Sequence, residues 1–316
     1  MVAKAPCGTN LSPNKKMKLH ANGIEIEYAV HGRPEDEPIL LIMGLGLQLV
    51  SWPPLFIESL LKAHYQVIVM DNRDSGLSSE MRDDQTPNLF WMGVKDKLGL
   101  SSKVPYTLSD MALDCVGVLD ALKIKKAHIL GLSMGGMIAQ RMAIHHPERV
   151  LSLISIMSTS GAHGLPKPDP TLLQNLYMPV TGGQGFEAWV DKALQSMQMI
   201  TSQAFQDDLS DVRSRVEMAL ARSYRPMGIL RQTAAVMADA ERADLLHLIK
   251  APTLVIHGTH DPLVPIECGR DTHKRIVGSL WVEIEDMAHD LSNKLTPVLL
   301  SPVLTFLKSH ATQHTS

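Results

Sequence analysis

The feature that most narrows the folds open to this chain is a rhythm. Short, continuous apolar runs, "PILLIMG" at 38–44 and "QVIVMD" at 66–71, are separated by Trp52, Leu55, Phe56, Leu60 and Leu61 at helical spacing behind Pro53-Pro54. The alternation repeats with a helix at 107–122, which carries Leu108, Met111, Cys115, Val118, Leu119 and Leu122 on one face and opens with a Thr107/Asp110 capping box. A strand "AHILGL", a helix at 134–146 and a strand "VLSLISIM" at 150–157 follow. Strands that are apolar throughout must be covered on both faces. The pattern therefore predicts an α/β fold with a mostly parallel, doubly wound sheet. Ahead of it, "MKLHA" and "GIEIEYAVHG" around Asn22-Gly23 read as a β-hairpin.

From about 160 to 240 the rhythm stops. Gly and Pro clusters, "GAHGLPKPDP" and "TGGQG", lead into helical spacing at Phe205, Leu209, Val212, Val216 and Leu220, with no strand pattern among them. It resumes at "PTLVIHGTHDP" (252–262), a helix at 266–276, the strand "LWVEIE" (280–285) and a helix at 295–308. The expected layout is an α/β core in two pieces, 1–160 and 241–316, with an inserted helical cap at 161–240. A chain of 316 residues, 45% hydrophobic, can bury such a core, and a formal charge of -3 leaves no basic surplus for nucleic acid or an anionic membrane. The segment "MVAKAPCGTNLSPNKKMK" has lysines but no apolar region after them, and no run approaches the roughly 18 apolar residues of a spanning helix. A soluble, cytoplasmic protein with no membrane partner is expected. Cys7, Cys115 and Cys268 are too scattered for a disulfide framework, which predicts free thiols.

Within "AHILGLSMGGMIAQRMA" (127–143), Gly131-Leu132-Ser133-Met134-Gly135 matches G-x-S-x-G, with a strand before it and a helix after it. A tight turn there lifts the hydroxyl beyond the sheet edge, and glycines on either side avoid collision. A serine hydroxyl is a poor nucleophile near neutral pH and needs an imidazole, itself oriented by a carboxylate. In this architecture the chain order is Ser, acid, His. Asp261 follows the strand "TLVIHGT", and His289, in "EDMAHDLSN", follows the next strand. Ser133, Asp261 and His289 are thus the candidate catalytic set. Donors for a developing oxyanion are expected from the N–H of Met134 and from that of Leu45 in "LIMGLGLQ", where Gly44 and Gly46 allow close backbone approach. Gly44, Leu45 and Met134 are accordingly the candidate substrate-binding residues.

Other histidines have plainer readings. His273 falls within a helix, His310 and His314 in a polar tail, and His145 and His146 close a helix before Pro147, where they complement its dipole. His257 and His260 flank Asp261, but two histidines and one carboxylate are thin coordination, so no metal is expected.

The runs "LIMGLGLQLVSWP", "VMDNRDSGLS", "YTLSDMALDCVGVLDAL", the serine segment, "PTLVIHGTHDPLVP" and "DMAHDLS" together resemble the α/β-hydrolase fold superfamily, and within it the bacterial esterases related to aclacinomycin methylesterase. The resemblance runs from about residue 38 to 292 and is least distinct in the cap. It implies Ser133 as nucleophile, His289 as base, Asp261 as acid, Leu45 and Met134 as oxyanion hole, and no cofactor. Two positions depart from the pattern: Met43 stands where many relatives have His, and Asp74 where many have Gly. The segment around Asp74 reads as a structural turn in which Arg73 and Asp71 pair locally.

The activity expected is hydrolysis of uncharged short- to medium-chain acyl esters through an acyl-serine intermediate, with a small-molecule ester as substrate and neither nucleic acid nor membrane as partner. A methylesterase or carbon-carbon bond hydrolase for a larger secondary metabolite, and a non-catalytic small-ligand receptor, are the alternatives. Met178, Met197, Met199, Met218, Met227 and Met237 are candidate walls of an adaptable apolar pocket, and the segment 81–106 with Phe90, Trp91 and Met92 is a candidate wall of its entrance. The sequence sets no oligomeric state.

Overall fold

The computed structural model describes residues 17–82, 86–98, 100–177, 185–239 and 241–311. Cys7, Met178 and His314 lie outside them. Strands β1 (Met17–Ala21) and β2 (Ile24–His31) form the hairpin, with Asn22 and Gly23 at φ 49° and 78°. Two consecutive positive φ values are what a two-residue turn matched to strand twist requires. Strands β3 (Glu37–Ile42) and β4 (Tyr65–Met70) are joined by α1 (Pro54–Lys62), which has proline at its first position. After α2 (Leu89–Lys97) comes α3 (Leu108–Ala121), where the Asp110 N–H donates to the Thr107 hydroxyl and the Thr107 N–H to the Asp110 carboxylate. Next are β5 (Ala127–Leu132), α4 (Met134–His145) and β6 (Val150–Ile156). The insertion holds α5 (Pro170–Tyr177), α6 (Phe186–Gln198), α7 (Leu209–Arg222) and α8 (Pro226–Met237). The short α9 (Arg242–Leu245), then β7 (Thr253–Gly258), α10 (Ile266–Arg275), β8 (Leu280–Ile284) and α11 (Thr296–Ser309) complete the chain.

The strands form one eight-stranded sheet in the order β1-β2-β4-β3-β5-β6-β7-β8. Strand β2 runs against both neighbours, and every other pairing is parallel. Its two faces explain the continuous apolar runs. Leu40, Ile42, Ile68 and Met70 pack with α3 and α4, while Ile39, Leu41, Val67 and Val69 pack with Phe56 and Leu60 of α1 and with Leu299, Val303 and Phe306 of α11. The insertion has a small interior of its own around Val190, Leu194 and Val216. Among the described residues no helix is long and apolar enough to cross a membrane.

After β3 the chain crosses to β4 on one side of it, then returns to place β5 on the other. The loops leaving β3 and β5 therefore diverge, opening a crevice at the C-terminal ends of the strands. That crevice is where the serine turn and the Gly44–Gly46 loop meet.

One expectation fails here. Arg73 and Asp71 do not pair locally: Arg73 grips the Asp114 carboxylate of α3 through Nε and Nη2 at 2.7 and 2.6 Å, and Asp71 receives Arg222 of α7 at 2.7 Å. Nearest-neighbour pairing loses because both side chains point off the turn into separate, buried contacts. In the segment 81–106, α2 leaves Phe90 72% and Trp91 60% exposed and buries Met92.

Candidate active site

Ser133 occupies the single residue between β5 and α4, with φ 52° and ψ −119°. Such a backbone costs a β-carbon-bearing residue about 1–3 kcal/mol and persists only when its surroundings fix it. The Ser133 N–H donates to Ile156 O (2.9 Å), and its carbonyl accepts from Ser158 Oγ (2.8 Å) and the Gly136 N–H (2.9 Å). The flanking glycines make the turn geometrically feasible. A β-carbon on Gly131 would lie 2.1 Å from Gly135 O, and one on Gly135 would lie 2.1 Å from Ile42 O.

Asp261 stands in the loop after β7, buried and held by the Leu263 and Val264 N–H groups, which donate to Oδ1 at 2.9 and 2.7 Å. His289, in the loop after β8, donates from Nδ1 to Asp261 Oδ2 at 2.7 Å. With that proton committed, Nε2 is left as an acceptor for the Ser133 hydroxyl, 2.9 Å away. Burial alone would raise the Asp261 carboxyl. The charge of His289 and hydrogen bonds from His257 and His289 outweigh it and hold the acid well below the usual carboxylate range. The base loop is tied to the insertion, since the His289 N–H donates to Ile200 O (2.9 Å) and the Ser202 N–H to Asp290 Oδ1 (3.1 Å).

His257, weighed above with His260 beside Asp261, is buried behind the acid. Its Nε2 donates to Val264 O at 2.7 Å and lies 3.5 Å from Asp261 Oδ2. His260 turns outward to Asp286, at 3.6 Å, in an exposed group with Glu285. The two histidines thus share no site. His273 hydrogen-bonds Ser279 and His310 caps the end of α11. Burial raises both described thiols, Cys115 and Cys268, away from thiolate character.

The Gly44–Gly46 loop leans on the serine turn: a β-carbon on Gly44 would sit 3.3 Å from Ser133 Cβ. Met134, at the first helical position of α4, has no intrahelical acceptor for its N–H. Among the described residues neither the Leu45 nor the Met134 N–H has a protein acceptor. Both residues line a cavity of 160 Å³ against Ser133, walled otherwise by apolar groups such as Met137, Leu173 and Val236. Leu45 also borders a second chamber of 280 Å³ between Gln48 and Ser75 on one side and Trp189, Tyr224 and Ile229 of the insertion on the other. Of the six insertion methionines Met197 alone lines this chamber among the described residues, and Met199 and Met218 are exposed. A wider groove of 760 Å³ between β8 and α11 holds none of Ser133, Asp261 or His289.

Gln232 of α8 escapes sequence reasoning altogether. Fully buried, it accepts the Gly46 N–H through Oε1 (2.8 Å) and donates from Nε2 to Arg73 O (2.7 Å). The available signal was a polar Arg231-Gln232 pair inside the otherwise apolar "PMGILRQTAAVM".

A family model described as the alpha/beta hydrolase fold matches residues 37–292. Rhodomycin D methylesterase of Streptomyces peucetius is 27% identical over 300 residues, covering 90% of this chain and 92% of its own. A 2-hydroxy-6-oxononadienedioate/2-hydroxy-6-oxononatrienedioate hydrolase of Pseudomonas sp is 31% identical over 240 residues, covering 74% and 75% respectively. Among solved structures, the enol-lactonase of Burkholderia xenovorans LB400 superposes with a TM-score of 0.70 at 22% identity, covering 92% of this chain and 100% of that one, a likeness of fold. With its sheet order, its serine turn and a match from β3 to the loop beyond His289, the chain belongs to the α/β-hydrolase fold family.

Proposed function

We propose that this chain is a carboxylic-ester hydrolase of uncharged short- to medium-chain acyl esters, working through an acyl-serine intermediate. One observation carries the reading: Ser133 Oγ, His289 Nε2, His289 Nδ1 and Asp261 Oδ2 form a continuous hydrogen-bonded line with gaps of 2.9 and 2.7 Å. Along it, Ser133 Oγ attacks the ester carbonyl as its proton passes to His289 Nε2. The N–H groups of Leu45 and Met134 receive the negative oxygen, and the imidazolium is stabilised by the ionised Asp261. Collapse breaks the bond to the alkoxy oxygen, which leaves as alcohol with the proton from Nε2. Water, deprotonated by the same nitrogen, then releases the acid and restores the serine.

The 160 Å³ cavity supports a short acyl group. At about 30 Å³ per water-sized group it takes about five such units. Replacing Ser133 with Ala should lower turnover of a chromogenic butyrate ester by at least about 10⁴-fold with the fold intact. Wild-type turnover by that variant would refute the reading. Labelling of Ser133 by a fluorophosphonate separates a hydrolase from a non-catalytic receptor of the same fold, which would leave the probe unreacted.

A second reading, a methylesterase or carbon-carbon bond hydrolase for a bulkier molecule, is favoured by the 280 Å³ chamber beyond Leu45, where the Trp189 and Tyr224 rings lie 4.6 Å apart. The names of the methylesterase and dioate hydrolase relatives point the same way. A panel of acyl esters, bulky methyl esters and vinylogous diketones decides between the two by kcat/KM.

A further inference from the structure

We propose that Gln232 is a positioning residue for the oxyanion loop, so that the insertion, through α8, builds part of the catalytic apparatus. The proposal rests on the ester-hydrolase reading above. Its starting point is a geometric need. The Leu45 N–H can stabilise a tetrahedral oxygen only if it points to within hydrogen-bond reach of where that oxygen will form, and a shift of well under an ångström weakens it steeply.

Leu45 lies between two glycines, Gly46 at φ 68°, in a turn closed locally by one long bond, the Leu47 N–H donating to Gly44 O at 3.3 Å. Backbone so permissive needs an external hold. On the N-terminal side Asn72 Nδ2 donates to Met43 O at 2.9 Å. Beyond it, Ser75 Oγ donates to Leu47 O at 2.7 Å, and the Leu49 N–H to Asp71 Oδ1 at 2.7 Å. Every one of those holds comes from the loop after β4. The peptide that joins Leu45 to Gly46 is held from elsewhere, its N–H donating to Gln232 Oε1 at 2.8 Å.

Gln232 can act as a strut because its other end is fixed. Nε2 donates to Arg73 O at 2.7 Å, so the amide bridges the loops after β3 and β4, and its full burial removes water as a competitor for either bond. The helix that carries it is seated closely on both loops. A β-carbon on Gly46 would meet Ile229 Cγ1 at 2.9 Å, and one on Gly228 would meet Asp74 O at 2.2 Å. Arg231, the next residue, binds both Asp74 oxygens at 2.8 and 2.9 Å. Rotation or translation of α8 is thereby blocked, and the Gln232 amide fixes the plane of the Leu45–Gly46 peptide; the adjoining Gly44–Leu45 peptide, which carries the Leu45 N–H, is then confined between that held plane and Met43 O, held by Asn72.

The test compares the full-length wild type with Gln232→Met, which keeps length and loses both hydrogen bonds, and Gln232→Glu, which keeps the acceptor for Gly46 and loses the donor to Arg73. Four readouts are taken: kcat and KM on a butyrate ester per fluorophosphonate-titratable site, the inhibition constant of an alkyl trifluoromethyl ketone that forms an oxyanion on the serine, and deuterium uptake across residues 43–49. Gln232→Met should lower kcat by about 10- to 100-fold with KM within about threefold, below the loss expected for deleting an oxyanion donor outright. It should weaken the ketone by the same factor and raise uptake across the loop, with Gln232→Glu intermediate. Unchanged kcat per titrated site in either folded variant, even alongside a lower melting temperature, would overturn the proposal by making Gln232 merely structural. A wild type inert to every ester and to the probe would instead sink the hydrolase reading, and the inference with it.

Discussion

Asp290 neighbours the candidate base, yet its carboxylate serves a different bond. It accepts the Ser202 N–H, and burial, only partly offset by that hydrogen bond and by His289, pushes its carboxyl up to about 6. An ordinary aspartate ionises near 3.8. Between those values the unfolded chain has given up the proton and the folded one keeps it, so this residue makes stability fall as pH rises from about 4 to 6 and costs a constant amount above that. Asp290→Asn retains an acceptor for Ser202 and removes the cost. Melting curves should show the variant more stable than wild type at pH 8 and equal to it at pH 4; a gain that is the same at both would show that ionisation is not the cause. Sequence reading singled out Ser133, Asp261 and His289 as candidates, and the fold brings them together, because each follows a strand at one sheet edge, a position fixed by topology. Gln232 was invisible to it, and Asp290 was legible only as a neighbour of His289 unable to orient it, because their roles depend on which distant backbone N–H or carbonyl they meet, and polar contacts across the fold leave no periodic trace.

Among elements, α8 is the one whose sequence says least about its work. Its pattern reads as an amphipathic helix, but Arg231 lies fully buried on Asp74, which also accepts the Tyr106 hydroxyl at 2.7 Å and the Met81 N–H at 2.8 Å. Asp74 has φ 65°, a backbone that favours glycine. The departure noted in the sequence is thus matched by a cation from the insertion. Arg231→Met leaves the buried Asp74 side chain with one partner fewer and should cost about 3–5 kcal/mol in urea unfolding. Adding Asp74→Gly should restore much of that loss, because the charge goes and the φ is accommodated. A double variant no more stable than Arg231→Met would show that the pair is not what seats α8. The strands and the helices α1, α3, α4, α10 and α11 were legible, shifted by a residue or two at their ends, because two-sided burial writes itself as continuous apolar runs. Helix α2 was not, since it exposes Phe90 and Trp91 and so blurs the apolar face by which a helix is recognised.

At the scale of the molecule, the space beside Ser133 is divided into two cavities that share Leu45 as a lining residue. Chain length in a series of p-nitrophenyl esters should therefore show a cutoff. We expect kcat/KM to peak at acyl groups of about four to six carbons and to fall at least about tenfold by dodecanoate, as the chain outgrows a 160 Å³ space. A profile that rises steadily to dodecanoate would mean that the acyl chain runs into the 280 Å³ chamber instead. The walls of both spaces come from the core and the insertion together, so neither piece offers a complete site.

Strands β6 and β7 lie side by side in the sheet, yet the whole segment from Met157 to Pro252 separates them along the chain. During synthesis, then, the ribosome exposes an unpaired β6 edge throughout the time the four insertion helices emerge, and a nascent chain at that stage offers a template for pairing with its neighbours. Translation that stalls in this window would yield a sticky fragment without the candidate acid and base, because Asp261 and His289 are both still inside the exit tunnel or unmade.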